Sequence, residues 1–440
     1  MSADLDAERP GTSVPGWQRR LGMVGDGVAV VLAVVWIVCL VRVAAHRIFV
    51  TLDSLIDYAH VWYVADRLWH GHGLPYTMPV VAHGDGVAFP YGVTPWLTAA
   101  VLHPLFGDRS VTLTLVAGGI GLVVLTFVAF PELRRSWWAV GVLLNPALVA
   151  GVLNGQIPFL WAASFFMAAI AAWRRGHRGA AVVLAALAQL THPAVLVPIA
   201  AVTVLLRLRW EPARRALVVG YLISLAAAIP AILVVLRSSV FTEASTGVRI
   251  ASFADTVLPR AEFLLIPVLL ALGRRSRPEP AMGAFLAAAV AVTLAISWGY
   301  LRIPYSWAGM DRVPDAAVAD WAGGPSFRPG VTYRVLGFGD SRVGMYRLLQ
   351  AGGRIDSDFF PESQLRRSWP DVATYSAALR DRDVDVVLIA PGYDRTDGVN
   401  EVAMLRSMAA DPPASCAAPD VCVREIPGGR GFLAFAVDRG

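Results

Sequence analysis

"TLDSLIDYAHVWYVADRLWHGHGLPY", residues 51–76, sets Asp53 and Asp57 four residues apart and His60 three further on. At about 3.6 residues per turn the three side chains share one helix face, and Asp66 falls roughly opposite Asp57. Two carboxylates and an imidazole on one face support two kinds of chemistry. A positioned carboxylate takes the proton from a hydroxyl that is becoming a nucleophile. A second carboxylate beside it orients the first, raises its pKa by repulsion, or helps it bind a cation. The same set also suits a divalent metal with oxygen and imidazole ligands, and that reading stays open beside one with no cofactor. The bland alternative is a solvated interfacial helix anchored by Trp62, Tyr63 and Trp69, aromatics that favour the headgroup level of a bilayer.

The elements that must position these residues are membrane helices. Of 440 residues, 56% are hydrophobic and 16% charged, and the mean hydropathy is +0.55. A soluble globule has about 45–50% apolar and about 25% charged residues, so the composition excludes one. All 38 basic residues are arginine. They sit mostly in short loops between apolar runs, where they set membrane orientation, and not in a patch that would bind nucleic acid. A spanning helix needs about 20 apolar residues. Such runs are expected over 26–45, 111–130, 137–153, 157–173, 216–236, 257–273 and 281–301. Residues 94–106 are too short to cross and are expected to dip. Residues 179–206 break at Thr191-His192-Pro193, where proline ends a helix, and read as two half-helices meeting near His192. The first run has no small-residue cleavage site after it, so it reads as a retained helix and not a signal peptide. With short and broken helices included, the fold class is a polytopic helical membrane protein of about 8–10 membrane helices.

Orientation follows from "PELRRS", "WRRGHRG", "RLRWEPARR" and "GRRSRPEP". The positive-inside rule puts all four in the cytoplasm, together with residues 1–25. The non-basic connections then gather on the outer face of a plasma-membrane protein. They are the first external loop 46–93, the Asn154-Gly155-Gln156 turn, the His192 break, and the loop 237–256 that carries Arg249. Polar groups at membrane depth are tolerated where they line a cavity, so the membrane domain, 26–304, is expected to hold an external, membrane-embedded site. From residue 305 the chain changes character. "YRVLGF" and "VDVVLIA" read as buried strands, 342–351, 373–382 and 400–409 as helices, and "VCVREI" with "FLAFAV" as a closing strand pair. Residues 305–440 are therefore expected to form an extracytoplasmic α/β domain. In it Cys416 and Cys422 are close enough in sequence to pair as a disulfide. Gly337, Gly339 and Gly344 miss the Gly-x-Gly-x-x-Gly spacing of a dinucleotide loop.

An acidic residue opens the external helix, an aromatic follows about one and a half turns on, and then come a Gly and a Tyr: Asp57, Tyr63, Gly71 and Tyr76. An aromatic-proline lead into the next helix follows, Phe89-Pro90-Tyr91 through Pro95, and later Gly155-Gln156 between two apolar runs. This order resembles the GT-C membrane glycosyltransferases that use polyprenyl-phosphate sugars, most of all the family 87 mannosyltransferases, over roughly residues 25 to 300. The resemblance implies a polyprenyl-phosphate sugar donor, a lipid or glycan acceptor, surrounding membrane lipids, and an aspartate of the first external loop as base. Asp57 matches that position, and Asp53 supports it. Around them His60, Tyr76, Tyr91, Asn154, Gln156, His192 and Arg249 are the candidate substrate-binding residues. The family often has a basic residue in the broken-helix region, where this chain has His192. A second reading, a non-enzymatic carrier of lipid-linked sugar or a scaffold that binds envelope glycan, fits the same architecture.

Overall fold

The computed structural model describes residues 15–49, 54–237, 279–297, 322–324, 326–336, 341–357, 369–389, 400–410, 421–428 and 432–439. Helix α1 (Gly16–Ala45) is a 30-residue apolar rod whose hydrophobic side chains stay largely exposed, as a lipid-facing helix requires. An amphipathic helix follows, α2 (Ser54–Trp69), almost fully buried over its first eight residues. Then come α3 (Val93–Phe106), α4 (Arg109–Ala129), α5 (Ser136–Leu143), α6 (Pro146–Leu153), α7 (Ile157–Arg174), α8 (Arg178–Thr191), α9 (Pro193–Leu208), α10 (Arg214–Arg237) and α11 (Pro280–Ser297). Among the described residues five spans are long and apolar enough to cross a membrane: Gly16–Ala45, Arg109–Ala129, Ser136–Leu153, Ile157–Arg174 and Arg214–Val234. Four further apolar helices are shorter.

Two breaks shape the bundle. The expected one falls at His192, which ends α8 and precedes Pro193 at the first turn of α9. The other falls inside the expected 137–153 span, which stands as Ser136–Leu153. The Asn145 side chain accepts from the Ala147 amide at 2.9 Å and Pro146 opens α6, so the span is interrupted between Leu143 and Pro146. Small residues bring α4 and α7 together. A Cβ on Gly118 would lie 2.8 Å from the Trp161 ring, and Ser164 donates to the Gly118 carbonyl at 3.2 Å.

The C-terminal region folds as β1 (Thr332–Leu336), α12 (Ser341–Gln350), β2 (Arg354–Ile355), α13 (Val372–Asp381), β3 (Val386–Ile389), α14 (Glu401–Ala410), β4 (Val421–Ile426) and β5 (Leu433–Arg439). The sheet order is β2-β1-β3-β5-β4. Strands β2 and β3 flank β1 in parallel, while β5 runs antiparallel to β3 and β4. Under the α13 and α14 face lies a buried ion cluster. Arg334 holds Asp356 at 2.7 Å and Glu401 at 2.6 Å. Burial opposes the Arg334 charge, and the two carboxylates more than restore it, so its pKa stands well above the ordinary value.

This domain packs on the external helix and its loop. Tyr346 of α12 is fully buried between Tyr58 and Trp62 of α2, with ring centroids at 6.1 and 6.5 Å. Its hydroxyl donates to Asp108 at 2.7 Å. Val81 bridges to Ile355 in parallel, and the Ile355 amide donates to the Val80 carbonyl at 2.9 Å.

Candidate functional site

Asp57 sits in the first turn of α2 and is 2% exposed. The Trp96 indole N–H donates to its Oδ1 at 2.6 Å, across 39 residues of sequence. An indole is a donor only, so Trp96 fixes the carboxylate's orientation without competing for a proton. Trp96 is itself fully buried and packed against other rings. His60 stacks on it at 4.5 Å with 12° between the planes, and Tyr91 lies at 5.5 Å. Tyr91 in turn stacks on His192 at 5.2 Å, and Phe159 meets His192 edge-on at 6.4 Å. A continuous row of rings therefore links the carboxylate on α2 to the break between α8 and α9.

The backbone makes this row possible. Gly92 has φ +78°, and a Cβ there would meet Trp96 at 2.9 Å and Pro158 at 3.0 Å. Only glycine suits both the left-handed turn and the close approach. The Gly92 amide donates to the Thr191 carbonyl at 2.8 Å, and Thr191 donates to the Thr94 hydroxyl at 3.2 Å. The start of α3 is thus tied to the end of α8. Both α7 and α9 begin at this end of the bundle with a proline in the first turn and no side-chain cap. Their N-termini place partial positive charge there, suited to an anion.

His60 is 2% exposed and its Nδ1 lies 2.9 Å from the Ala88 carbonyl. A carbonyl only accepts, so Nδ1 carries the proton. Burial lowers the ring's pKa to about 4, partly offset by that hydrogen bond. The ring is neutral at pH 7. It backs Trp96 as a flat, uncharged wedge.

The structure brings Asp57, His60, Tyr91 and His192 into one contact row, and Gln156 directly precedes α7, three residues before Phe159. Asn154 is 8% exposed and closes α6. Tyr76 is not part of the row; its ring is 65% exposed, and its carbonyl accepts from the Ala88 amide at 3.0 Å. Asp53, Arg249 and Cys416 lie outside the described residues. Cys422, on β4, is disulfide-bonded, and Cys39 is a free thiol. Among the described residues no group of three or more His, Cys, Asp or Glu is placed to hold a metal ion. Sequence reasoning missed Trp96, although it stands directly after Pro95, the end of the aromatic-proline lead into α3. It also missed Asp108, which takes hydrogen bonds from Arg47 at 3.2 Å and from Tyr346. Burial pushes the Asp108 pKa up, but His103, Tyr346, Arg47 and Arg347 outweigh it and hold it below the usual carboxylate value.

No protein-family model matches the chain, and no curated protein matches it in sequence. Solved structures do. The archaeal oligosaccharyltransferase AglB from Archaeoglobus fulgidus, in complex with an inhibitory peptide and a dolichol-phosphate, matches with a TM-score of 0.51 at 10% identity, over 94% of this chain and 74% of that one. The fold is GT-C-like. The apo oligosaccharyltransferase of the same organism matches at a TM-score of 0.47 and 10% identity, over 85% of this chain and 71% of that one. ArnT from Cupriavidus metallidurans bound to undecaprenyl phosphate matches at 0.44 and 13%, over 93% and 98%. In this GT-C-like chain α1, the buried helix α2 and the short helix α3 precede the bundle, and a sheet-containing domain follows it.

Proposed function

We propose that this protein is a membrane glycosyltransferase with Asp57 as its general base. It moves a sugar, mannose by the family 87 resemblance, from a polyprenyl-phosphate donor to a lipid or envelope-glycan acceptor on the outer face of the plasma membrane. The observation that carries this reading is the Trp96–Asp57 hydrogen bond. A buried carboxylate, fixed by a donor that cannot titrate, sits in a GT-C-like fold beside two uncapped helix N-termini.

The acceptor O–H attacks the anomeric carbon, the bond from that carbon to the phosphate oxygen breaks, and the acceptor proton passes to Asp57. The lipid phosphate leaves as an anion. Helix N-termini and Arg249 are proposed to receive it. Asp53 supports Asp57. Gln156, Asn154, His192, Tyr91 and Tyr76 are proposed to contact sugar or phosphate, with His60 backing Trp96. A single lipid phosphate carries less charge than a nucleotide diphosphate, so no divalent metal is needed.

The test is turnover of purified protein against a panel of polyprenyl-phosphate sugars. Asp57→Asn keeps the shape and loses the proton acceptor. General-base catalysis contributes about 10²–10⁴-fold, so turnover is expected to fall at least about a hundredfold while folding and donor binding persist. EDTA is expected to leave the wild type unchanged. A well-folded Asp57→Asn protein with near-normal turnover would overturn the base. Loss with EDTA, restored by manganese or magnesium, would make Asp53, Asp57 and His60 ligands. Donor binding without transfer to any acceptor would favour the carrier.

A further inference from the structure

A second feature opens at the opposite end of the bundle. A cavity of about 270 Å³ runs between α7, α8, α9 and α10, near the lower bound of about 300 Å³ for ligand pockets. Its walls are apolar, among them Phe166, Ala185, Val204 and Leu217. Arg174 and Arg207 stand at its mouth, with side chains 41% and 49% exposed. Gln189 and Ser224 close the inner end; both are 0% exposed. Gln189 donates to Ser224 at 2.8 Å, while its Oε1 is buried with no hydrogen-bond partner among the described residues. From Arg178 to Gln189 is 11 residues of helix, so the inner end is about 16 Å from the mouth. Helix α7 puts this mouth about 27 Å from the Asp57 end, while the inner end at Gln189 comes within one helical turn of His192.

The charges at the mouth are uneven. Arg174 pairs with Glu132 at 3.0 Å and Arg207 with Glu211 at 3.2 Å. Arg175 and Arg178 add two more cations on the same turn, and Arg178 lies over the Trp173 ring. The mouth therefore has a surplus of positive charge over an apolar slot that lies within the length of membrane helices.

We infer that this slot is a binding site for an anionic phospholipid of the leaflet at the basic end. The headgroup phosphate takes hydrogen bonds from Arg174 and Arg207, and one acyl chain lies between α8 and α10 toward Gln189. A zwitterionic lipid offers the same chain without the net charge, and a free phosphate offers the charge without the chain. The site needs both.

The experiment uses the full-length purified protein in detergent with phosphatidylglycerol that carries a diazirine near the end of one acyl chain. Cross-links are mapped to peptides, with unlabelled phosphatidylglycerol, phosphatidylcholine and inorganic phosphate as competitors. Labelling is expected on α8 and α10 and is competed by phosphatidylglycerol alone. Arg174→Gln with Arg207→Gln is expected to weaken it about tenfold or more, the scale of lost charge-assisted hydrogen bonds. Ala185→Phe fills the slot and is expected to abolish labelling of α8 and α10 only. Glu132→Gln, which releases Arg174 from its partner, is expected to keep or strengthen it, and shows that the arginine result is not general damage to that end. Equal competition by phosphatidylcholine, or undiminished labelling in Ala185→Phe, would overturn the inference.

Discussion

At the scale of single residues the site is defined by one hydrogen bond and the ring behind it. Trp96 holds Asp57, and His60 stacks on Trp96 from a buried position that disfavours a charged imidazole. That burial has a pH signature. The folded pKa of His60 is about 4, against about 6.5 in an unfolded chain. Between those values the unfolded chain binds a proton that the folded chain does not, so stability is full above the upper value and falls as pH drops toward the lower one. The whole window is worth about 3 kcal/mol. His60→Phe keeps the stacked ring and removes the titration. Thermal unfolding midpoints at pH 7.5 and 5 are expected to differ less in His60→Phe than in the wild type. Equal differences would remove His60 from the acid response.

At the scale of elements, what matters is how α3 is pressed between α2, α7 and α8. Gly92 sets that fit. Gly92→Ala puts a side chain at positive φ, which costs about 1–2 kcal/mol, and drives a Cβ into Trp96. Displacing a catalytic group by about 1 Å costs up to about a hundredfold in rate. Turnover is expected to fall well beyond what the lost stability explains. Gly176→Ala is the control, because Gly176 also has positive φ, at +83°, with nothing within 4 Å of its Cβ; it is expected to lose similar stability and keep its turnover. Equal turnover losses would show that the effect is strain alone. Much of this scale was legible in the sequence. The Thr191-His192-Pro193 break, the short helix that opens around Pro95, and the helices and strands of the C-terminal domain follow from proline chemistry and hydrophobic period. The interruption at Asn145 was not seen, because the apolar run continues through it and Asn-Pro alone had to carry the signal. The pairing of Trp96 with Asp57 left no local trace, since a contact across 39 residues depends on how two helices meet and not on either sequence alone.

At the scale of the molecule, the C-terminal domain and α2 are one unit. Tyr346 lies against Tyr58, the neighbour of Asp57, and donates to Asp108, so the domain cannot be on one side of the membrane and α2 on the other. Tyr346→Phe keeps the ring and loses a charge-assisted hydrogen bond, worth about 1.5–3 kcal/mol. A lower unfolding midpoint is expected, and an unchanged one would show that the rings alone carry the contact. The same contact turns the location of the site into a question about thiols. Among the described residues the arginine-rich loops at 131–136, 173–179 and 207–215 lie at the other end of the bundle, so the positive-inside rule leads to the proposal that α2 and the domain are outside together. Cys422 is oxidised in the structure, and Cys416 is its proposed partner. A bridge closing so short a loop stabilises by about 2–3 kcal/mol and persists in an oxidising compartment. An impermeant thiol reagent applied to intact cells is therefore expected to label the domain only after reduction, while Cys39, within membrane helix α1, stays unlabelled throughout. Labelling that instead requires permeabilisation would put the domain in the cytoplasm. Because Tyr346 ties the two together, it would move Asp57 there as well, and the proposed outer-face transfer would fall with it.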